Sequence, residues 1–396
     1  MEKALERDDR AQLLVLDLAS FWLNISGSAM SFALVYHYRR IFGLPPANIG
    51  LSVSINTISY FIGCMILSPV VRALKPRYCV SISLCGMSLF LFLFSNSTAL
   101  SIAYTCIFIY GLFNSLLWPA VEMWISRGRE GRALSAATGS FNFSWSFGAG
   151  LSSYIGGLLV SHSTYAAFRF TEIVYVATTA FLLFMSTINP TIRAAQSEKV
   201  QNRRSNETDH STPLRFFCWV NATISNAIVS MVGIIFPLYA LDVLGISEKE
   251  TGALLLVRGF ATCGMFVILG RTNGWRFNKK LILAVTFSLA AMSLFGAAIH
   301  TKLLFILFFF GLGLIHACAY NMSMFHGISG ALKRSRRAGI HETILALGSI
   351  SGVVSGGYLY QRYSFSTTLF VIGIVSLIAF VGECVAMGVL SQRNVV

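Results

Sequence analysis

The stretch GSFNFSWSFGAGLSSYIGG (139–157) recurs in its glycine spacing, 200 residues further on, as GIHETILALGSISGVVSGG (339–357). The shared glycines stand at 139, 148, 156 and 157 and at 339, 348, 356 and 357. Glycines spaced along an apolar helix let a second helix approach its backbone closely. Chance recurrence is the alternative in a chain with 33 glycines, but four matches at one offset favour an internal duplication. The chain is therefore predicted to consist of two related halves.

Apolar segments continue from both stretches along the whole chain. Of the 396 residues, 55% are hydrophobic and 12% are charged, about half the charged share of a soluble protein. A spanning helix needs about 20 mostly apolar residues. Twelve segments qualify, near 12–37, 48–68, 79–95, 99–125, 134–160, 166–188, 214–241, 250–270, 281–299, 303–325, 338–360 and 366–390. This pattern predicts an all-α membrane protein with twelve transmembrane helices and excludes a water-soluble globule.

A polar segment separates the sixth predicted span from the seventh. NPTIRAAQSEKVQNRRSNETDHSTP (189–213) is charged and has a proline near each end, which is typical of a flexible linker. The predicted organisation is a six-helix half at 1–188, a cytoplasmic linker at 189–213 and a second six-helix half at 214–396. The two halves are expected to be related by pseudo-two-fold symmetry.

The net charge of +14 is explained by membrane topology and needs no nucleic-acid partner. With the N-terminus inside the cell, 23 of the 30 Lys and Arg residues fall in inner segments, six in outer segments and one, Arg258, within a span. This bias predicts that both termini are cytoplasmic, and the basic inner loops are expected to contact anionic lipid headgroups. Residues 1–11 do not look like a cleaved signal peptide. The expected location is the cell membrane, inner or plasma.

Neither cysteines nor short motifs point to a metal, a cofactor or a catalytic reaction. The eight cysteines fall almost entirely in apolar runs without C-x-x-C spacing, so we predict buried free thiols. The chain has no G-x-x-x-x-G-K-[ST], H-E-x-x-H or G-x-S-x-G motif. ATP-driven and hydrolytic chemistry are therefore disfavoured, and the protein is predicted not to be an enzyme.

Twelve spans in two sets of six, both termini inside and a basic central linker resemble the major facilitator superfamily of secondary transporters. That superfamily has an antiporter motif in its fifth span: Gly, eight residues, Gly, three residues, Gly-Pro, two residues, Gly-Gly. Here Gly139, Gly148 and Gly156-Gly157 match that spacing, while Ser152-Ser153 replace Gly-Pro. The eleventh span has Gly352-Val353 in the same slot. The loop SPVVRALKPRY (68–78) keeps only the basic end of the superfamily's loop motif, with Ser68 in place of Gly and Arg72 in place of Asp.

The resemblance implies a monomeric transporter whose halves rock about a central site, exposing it to one side of the membrane at a time. In that superfamily the first, fourth, seventh and tenth spans line the cavity, with the second, fifth, eighth and eleventh beside them. Polar and aromatic side chains near the middle of these spans suit a small organic solute. The candidate binding residues are Asn24, Asn114, Trp118, Asn142, Trp145, Asn226, Arg258 and His316. For each asparagine taken alone, a hydrogen bond between helices is the alternative role.

Arg258 is the sharpest signal in the second half. It lies about eight residues into the span TGALLLVRGFATCGMFVILG (251–270), where exposing a guanidinium to lipid costs about 3 kcal/mol or more. One interpretation is a guanidinium fork that binds a carboxylate or phosphate of the solute. The other is an internal ion pair or a fork onto backbone carbonyls.

Three carboxylates are candidates for ion coupling or gating, with H⁺ or Na⁺ as the coupling ion. Asp17 lies one or two turns into the first span, Glu122 lies near the inner end of the fourth, and Glu342 opens the eleventh. Burial would allow Asp17 or Glu122 to carry protons. The alternative for both is a salt bridge that closes the cytoplasmic gate, made to Arg72, Arg127 or Arg129. His316 is also a candidate proton relay, and a helix–helix hydrogen bond is its alternative role.

Three functions follow from these residues. The leading hypothesis is a secondary active transporter of a small organic solute, anionic if Arg258 binds it, coupled to protons in symport or antiport. An exporter of drugs or amphipathic lipids is the second, because the fifth span is rich in aromatic residues. A transport-inactive membrane receptor or scaffold on the same fold is the third, since fold does not determine function.

Overall fold

The computed structural model describes residues 2–126, 129, 131–189, 211–299, 301–331 and 334–392. The side chains at 2–9, 72, 126, 131–136, 138, 334–336, 338 and 391–392 lie outside this description. The described residues form thirteen helices and no β-strand. The helices are α1 (Glu2–Arg40), α2 (Pro46–Ile66), α3 (Ser68–Ala73), α4 (Pro76–Ser95), α5 (Leu100–Ser126), α6 (Gly131–His162), α7 (Thr164–Ile188), α8 (Leu214–Asp242), α9 (Glu248–Arg271), α10 (Lys279–Ala297), α11 (Lys302–Ile328), α12 (Arg334–Arg362) and α13 (Phe365–Gln392).

Each of the twelve predicted spans coincides with one long helix, and the short α3 is an addition in a predicted loop. Within the described residues, eleven helices are long and apolar enough to cross a membrane. The remaining long helix, α6, is rich in Ser and Gly, which lowers its hydropathy. Pro119 and Pro237 lie inside α5 and α8, as membrane helices tolerate when neighbouring groups satisfy the freed carbonyls. The protein is an integral, multi-pass membrane protein.

The chain forms two compact units. The first contains 1–44, 55–199 and 247–253, and the second contains 45–54, 200–246 and 254–396. The start of α2 thus groups with the second unit and the start of α9 with the first. The predicted linker at 189–213 falls mostly outside the described residues, so its character stays a prediction.

In the first unit, α1 packs against α6 and α7, and α4 packs against α5 and α7. The contact of α1 with α6 is made by the repeated glycines of α6. A methyl group added at Gly148 of α6 would overlap the carbonyl oxygen of Phe21 on α1. One at Gly156 would lie 3.2 Å from the Cα atom of Ala29. The backbones of α1 and α6 therefore touch along this line.

The second unit repeats this contact between α8 and α12, while α10 packs against α13. A methyl group at Gly348 of α12 would overlap the carbonyl oxygen of Thr223 on α8. One at Gly356 would overlap the side chain of Met231. Gly139 and Gly339 have no atom within 4 Å of such a group. Close approach is thus confirmed for three of the four repeated positions. Two are the pairs Gly148 and Gly348 and Gly156 and Gly356, and the third is Gly157 and Gly357, whose contacts are with the starts of α9 and α2.

Gly157 and Gly357 pack against the starts of α9 and α2, which group with the first and the second unit respectively. In the first unit, Gly157 lies against the carbonyl oxygen of Glu248 at the start of α9. In the second unit, Gly357 lies against Pro46 at the start of α2, 2.9 Å from its carbonyl oxygen to an added methyl group. The Arg40 guanidinium also forms an ion pair with Glu248 in the first unit. Each segment is thus anchored by backbone packing at an equivalent glycine.

The cysteines agree only in part with the sequence prediction. All eight cysteines are free, as predicted. Cys85 and Cys384 are exposed and so depart from the expected burial, because they lie on outward faces of α4 and α13. Within the described residues, no group of three or more His, Cys, Asp or Glu side chains is placed to hold a metal ion. Arg169 and Glu172 form an ion pair along α7, at 2.6 Å between Nη1 and Oε2.

Candidate functional site

In the second unit, α9 and α11 come together at Arg258. A methyl group at Gly313 of α11 would overlap the carbonyl oxygen of Arg258 on α9. The hydroxyl of Thr262 lies 3.0 Å from the carbonyl oxygens of both Arg258 and Gly313. The missing side chain at Gly313 thus allows backbone contact, and Thr262 bridges the two helices. This contact fixes the position of Arg258 along α9.

The Arg258 guanidinium reaches from α9 towards α8. Its Nη1 donates a hydrogen bond to the carbonyl oxygen of Val229, at 3.2 Å. The residue is half-buried, and the ion pairs among the described residues do not include it. Because a guanidinium carries five N–H donors, most of its donors are not used by this contact. The second interpretation of Arg258 offered either an internal ion pair or a fork onto backbone carbonyls. One backbone carbonyl is bound, and the described residues show no ion pair with Arg258.

His316 of α11 contacts the same face of α8. Its Nδ1 lies 2.9 Å from the hydroxyl oxygen of Ser225. Ser225 and Val229 are four residues apart on α8, and residues at this spacing share one face of a helix. Arg258 and His316 are also close enough to interact electrostatically. The structure therefore brings these two predicted site residues together, one helical turn apart along α8.

Asn226 points elsewhere although it is adjacent to Ser225 in sequence. Its Nδ2 donates to the carbonyl oxygen of Leu345 on α12, at 2.6 Å. This hydrogen bond joins α8 to α12, which is the helix-packing role foreseen for single asparagines. The residue remains half-buried.

The candidates of the first unit are spread over α1, α5 and α6. Asn24 donates to the carbonyl oxygen of Ser20 one turn back in its own helix, at 2.9 Å. On α6, the indole N–H of Trp145 donates to Oδ1 of Asn142, at 3.1 Å. On α5, the Trp118 ring lies 6.4 Å from the ring of Phe141 between centroids. Asn114 on α5 is half-buried.

Asp17 joins α1 to α6. The hydroxyl of Ser140 donates to its Oδ2, and the hydroxyl of Ser144 donates to its main-chain oxygen at 2.5 Å. Its second carboxylate oxygen, Oδ1, is buried and has no hydrogen-bond partner among the described residues. Asp17 therefore has a half-satisfied carboxyl group at the contact between two helices.

The other two carboxylates are exposed: Glu122 on α5 and Glu342 on α12. Beside Glu342, the His341 ring bonds through Nδ1 to the hydroxyl of Ser323, at 2.8 Å. Of the cations proposed as gate partners, Arg127 and the side chain of Arg72 lie outside the described residues.

Arg129, the third proposed gate partner, is buried. It donates to the carbonyl oxygen of Ile125 and, at 3.3 Å, to Oε1 of Gln12. Within the described residues, no ion pair involves Asp17. Arg129 is nevertheless close enough to Asp17 to attract its carboxylate electrostatically, so Asp17 keeps both predicted roles, proton coupling and gating.

The sequence analysis did not identify Ser225, which positions His316, or Thr262, which bridges α9 and α11. Serine and threonine are frequent in these helices, so neither residue stands out by type. Four-residue spacing between polar positions on α8 was the available signal for Ser225, but that spacing is also common in helix packing.

The family model described as Major Facilitator Superfamily matches residues 16–329, well over half of the chain. No curated protein matches the chain in sequence.

Three solved structures illustrate the structural likeness. A POT family transporter in complex with 5-aminolevulinic acid has a TM-score of 0.76 at 10% identity, covering 96% of each chain. The peptide transporter POT in complex with sulfate has a TM-score of 0.71 at 13% identity, covering 97% of this chain and 95% of that one. The nucleoside transporter NupG has a TM-score of 0.72 at 12% identity, covering 94% of this chain and 98% of that one. A likeness at this level of identity shows the fold, and it confirms the predicted fold class.

Proposed function

Because the chain belongs to the Major Facilitator Superfamily of secondary transporters, we propose that it moves a small organic anion across the membrane. As a transport protein of this family it is not an enzyme. The single observation that carries the proposal is the state of Arg258, which binds one backbone carbonyl and is in no described ion pair.

A guanidinium with unused N–H donors recognises a carboxylate or a phosphate by two parallel hydrogen bonds. Arg258 is half-buried, so part of the residue stays accessible to a ligand. The Val229 carbonyl holds one edge of the guanidinium and leaves the rest of the fork for a ligand. His316, fixed by Ser225 on the same face of α8, supplies a second polar group beside the anion.

Two of the structural neighbours are described in complex with 5-aminolevulinic acid and with sulfate. Both compounds carry an anionic group. The likeness is one of fold, and it supports an anionic solute for this chain only in combination with Arg258. Asn24, Asn114, Trp118, Asn142 and Trp145 are proposed as further contacts on the first unit.

We also propose that transport is driven by protons and proceeds by rocking of the halves, with both termini cytoplasmic in the cell membrane. The chain acts as a monomer in this proposal. Asp17 is the preferred coupling group, because one of its carboxylate oxygens is buried without a partner among the described residues. Glu122 and Glu342 are exposed and are assigned to gating.

Ligand-dependent thermal stability of the purified protein tests the anion proposal. Succinate, inorganic phosphate, glucose and choline would be compared at two pH values. A ligand at 100 times its Kd adds about 2.7 kcal/mol to apparent stability. We expect stabilisation by one or both anions, and its loss in Arg258→Gln. Arg271→Gln is the matched control, since Arg271 ends the same helix and is exposed.

Two other results would contradict this assignment. Stabilisation by anions that persists unchanged in Arg258→Gln would make Arg258 a structural residue. Stabilisation by amphiphiles alone, equal in both proteins, would favour the exporter of drugs or amphipathic lipids. The aromatic face of α6, where the ring of the exposed Phe143 stacks on that of the half-buried Phe147 at 5.7 Å between centroids, would then be its binding surface.

A further inference from the structure

The second unit contains a second polar cluster, and its side chains are different from those around Arg258. It joins Asn221 of α8, Thr286 of α10 and Glu383 of α13, and the exposed fractions of these residues are 1%, 0% and 5%. Glu383 lies within the apolar helix α13. The cluster is the place where the three helices share polar contacts.

The orientation of Asn221 is determined by its neighbours. Its Nδ2 donates to the carbonyl oxygen of Ile282 on α10, at 3.0 Å. Its Oδ1 therefore faces the hydroxyl of Thr286, with which it is hydrogen-bonded. The reversed amide would place two oxygens against each other at Ile282, so the hydrogen-bond network excludes it. Oδ1 of Asn221 carries no hydrogen, and the hydrogen of this bond comes from Thr286.

The same hydroxyl of Thr286 lies 2.5 Å from Oε2 of Glu383. A threonine hydroxyl has one hydrogen to donate and two lone pairs with which to accept. That hydrogen is already directed at Asn221, so the contact with Glu383 lacks a hydrogen unless Glu383 supplies it. Only a protonated carboxyl group can do so.

The surroundings of Glu383 point to the same protonation state. Its second oxygen, Oε1, is buried and has no hydrogen-bond partner among the described residues. Among the described residues, no ion pair includes Glu383. The described side chains of α10 and α12 also give its carboxyl group no charged partner. From α8, the thiol of Cys218 is the titratable group that interacts with it electrostatically. An ionised carboxylate without a cation is costly at such a site, whereas a neutral acid is not.

We propose that Glu383 is a proton-binding site, which carries its proton in this conformation and donates it in a hydrogen bond to Thr286. The chain of donors then runs from Glu383 of α13 to Thr286 of α10 and on to Asn221 of α8. The bound proton thereby joins three helices of the second unit. This site is separate from Asp17, the coupling group proposed above, and does not depend on the solute.

Infrared spectroscopy of the purified full-length protein at pH 7 tests the proposal directly. A protonated carboxyl group has a C=O stretching band that a carboxylate lacks. We expect Glu383→Gln to remove one such band from the spectrum. Glu172→Gln is the matched control, because Glu172 is also buried but is ion-paired with Arg169, and it should leave the band in place.

A second variant keeps the test decisive if Glu383→Gln does not fold. Thr286→Val removes the acceptor without touching Glu383, so the band should shift in frequency, while Thr286→Ser should nearly preserve it. A band that none of these substitutions alters would show that Glu383 is ionised and would overturn the proposal. Unfolding temperature gives an independent readout. Glu383→Gln should retain it better than Glu383→Ala, because the amide can still donate to Thr286, and equal losses would contradict the proposal.

Discussion

Gly348 of α12 lies directly against the main-chain carbonyl of Thr223 on α8. Gly148 of α6 lies in the same way against the carbonyl of Phe21 on α1. The two glycines are 200 residues apart and their partners are 202 residues apart. The contact of α1 with α6 inside the first unit is therefore equivalent to the contact of α8 with α12 inside the second. A repeat that was visible as glycine spacing is therefore a repeat of backbone contacts.

The first prediction concerns these contacts. Gly148→Ala and Gly348→Ala should each lower the free energy of unfolding by about 1 to 3 kcal/mol, because the added methyl group overlaps a backbone atom that cannot move aside. Gly139→Ala and Gly339→Ala are the controls. They have open space around the added group and should gain up to about 1 kcal/mol from helix propensity. Unfolding temperatures in detergent would measure all four, and equal effects at contact and control positions would contradict the packing argument.

The second prediction separates a guanidinium fork from a simple positive charge. Arg258→Lys keeps the charge but loses the planar pair of donors. We expect a bound anion to lose roughly tenfold in affinity, equivalent to about 1.4 kcal/mol and near the value of one charge-assisted hydrogen bond. Titration of the stabilising anion, followed by the unfolding temperature, gives the ratio. An undiminished affinity in the lysine variant would refute bidentate recognition.

The third prediction distinguishes helix packing from ligand binding at Asn226. Loss of its hydrogen bond to Leu345 in Asn226→Ala should cost about 1 kcal/mol of stability. The difference in stability with and without the anion should stay unchanged. Asn96→Ala is a suitable control, since Asn96 bonds to Phe92 at 2.7 Å in an exposed position. A loss of anion response without a loss of stability would assign Asn226 to the binding site.

The fourth prediction concerns Asp17 and proton coupling. In liposomes, Asp17→Asn should abolish accumulation of the stabilising anion under an imposed pH gradient, while exchange of that anion without a gradient continues. The reason is that an amide cannot take up and release a proton. Asp242→Asn, the same substitution at an exposed position at the end of α8, should keep accumulation under the gradient. If Asp17→Asn still accumulates the anion, coupling resides elsewhere and Asp17 only joins α1 to α6 through Ser140 and Ser144.

The positions of the spanning helices were predictable, and the ends of the helices were less so. Each predicted span coincides with a helix because about 20 apolar residues must satisfy their backbone internally in a bilayer. The helices extend beyond the apolar segments where polar residues continue the turn, as at the start of α1, which begins at Glu2. The short α3 escaped prediction because six residues leave no periodic pattern to recognise.

The candidate site was predictable only residue by residue. Arg258 stood out because a charged side chain within a membrane span costs free energy. The position of Arg258 near the middle of its span indicated that it needed a polar partner. Its contact with Val229 could not be anticipated, because a backbone carbonyl leaves no mark in a sequence. For the same reason Asn226 was grouped with the binding residues although its amide bonds to Leu345.

The sequence alone determined that the chain is a helical membrane protein, and its repeated glycine spacing predicted close backbone approach that the structure has at three of the four repeated positions. These properties depend on composition and spacing, which the bilayer and the helix translate directly into structure. Only the tertiary structure decided that His316 meets Ser225 beside Arg258, and that Glu383 meets Thr286 and Asn221. Such contacts join residues far apart in the chain, and they depend on how each helix is rotated about its axis, which hydrophobicity alone does not specify.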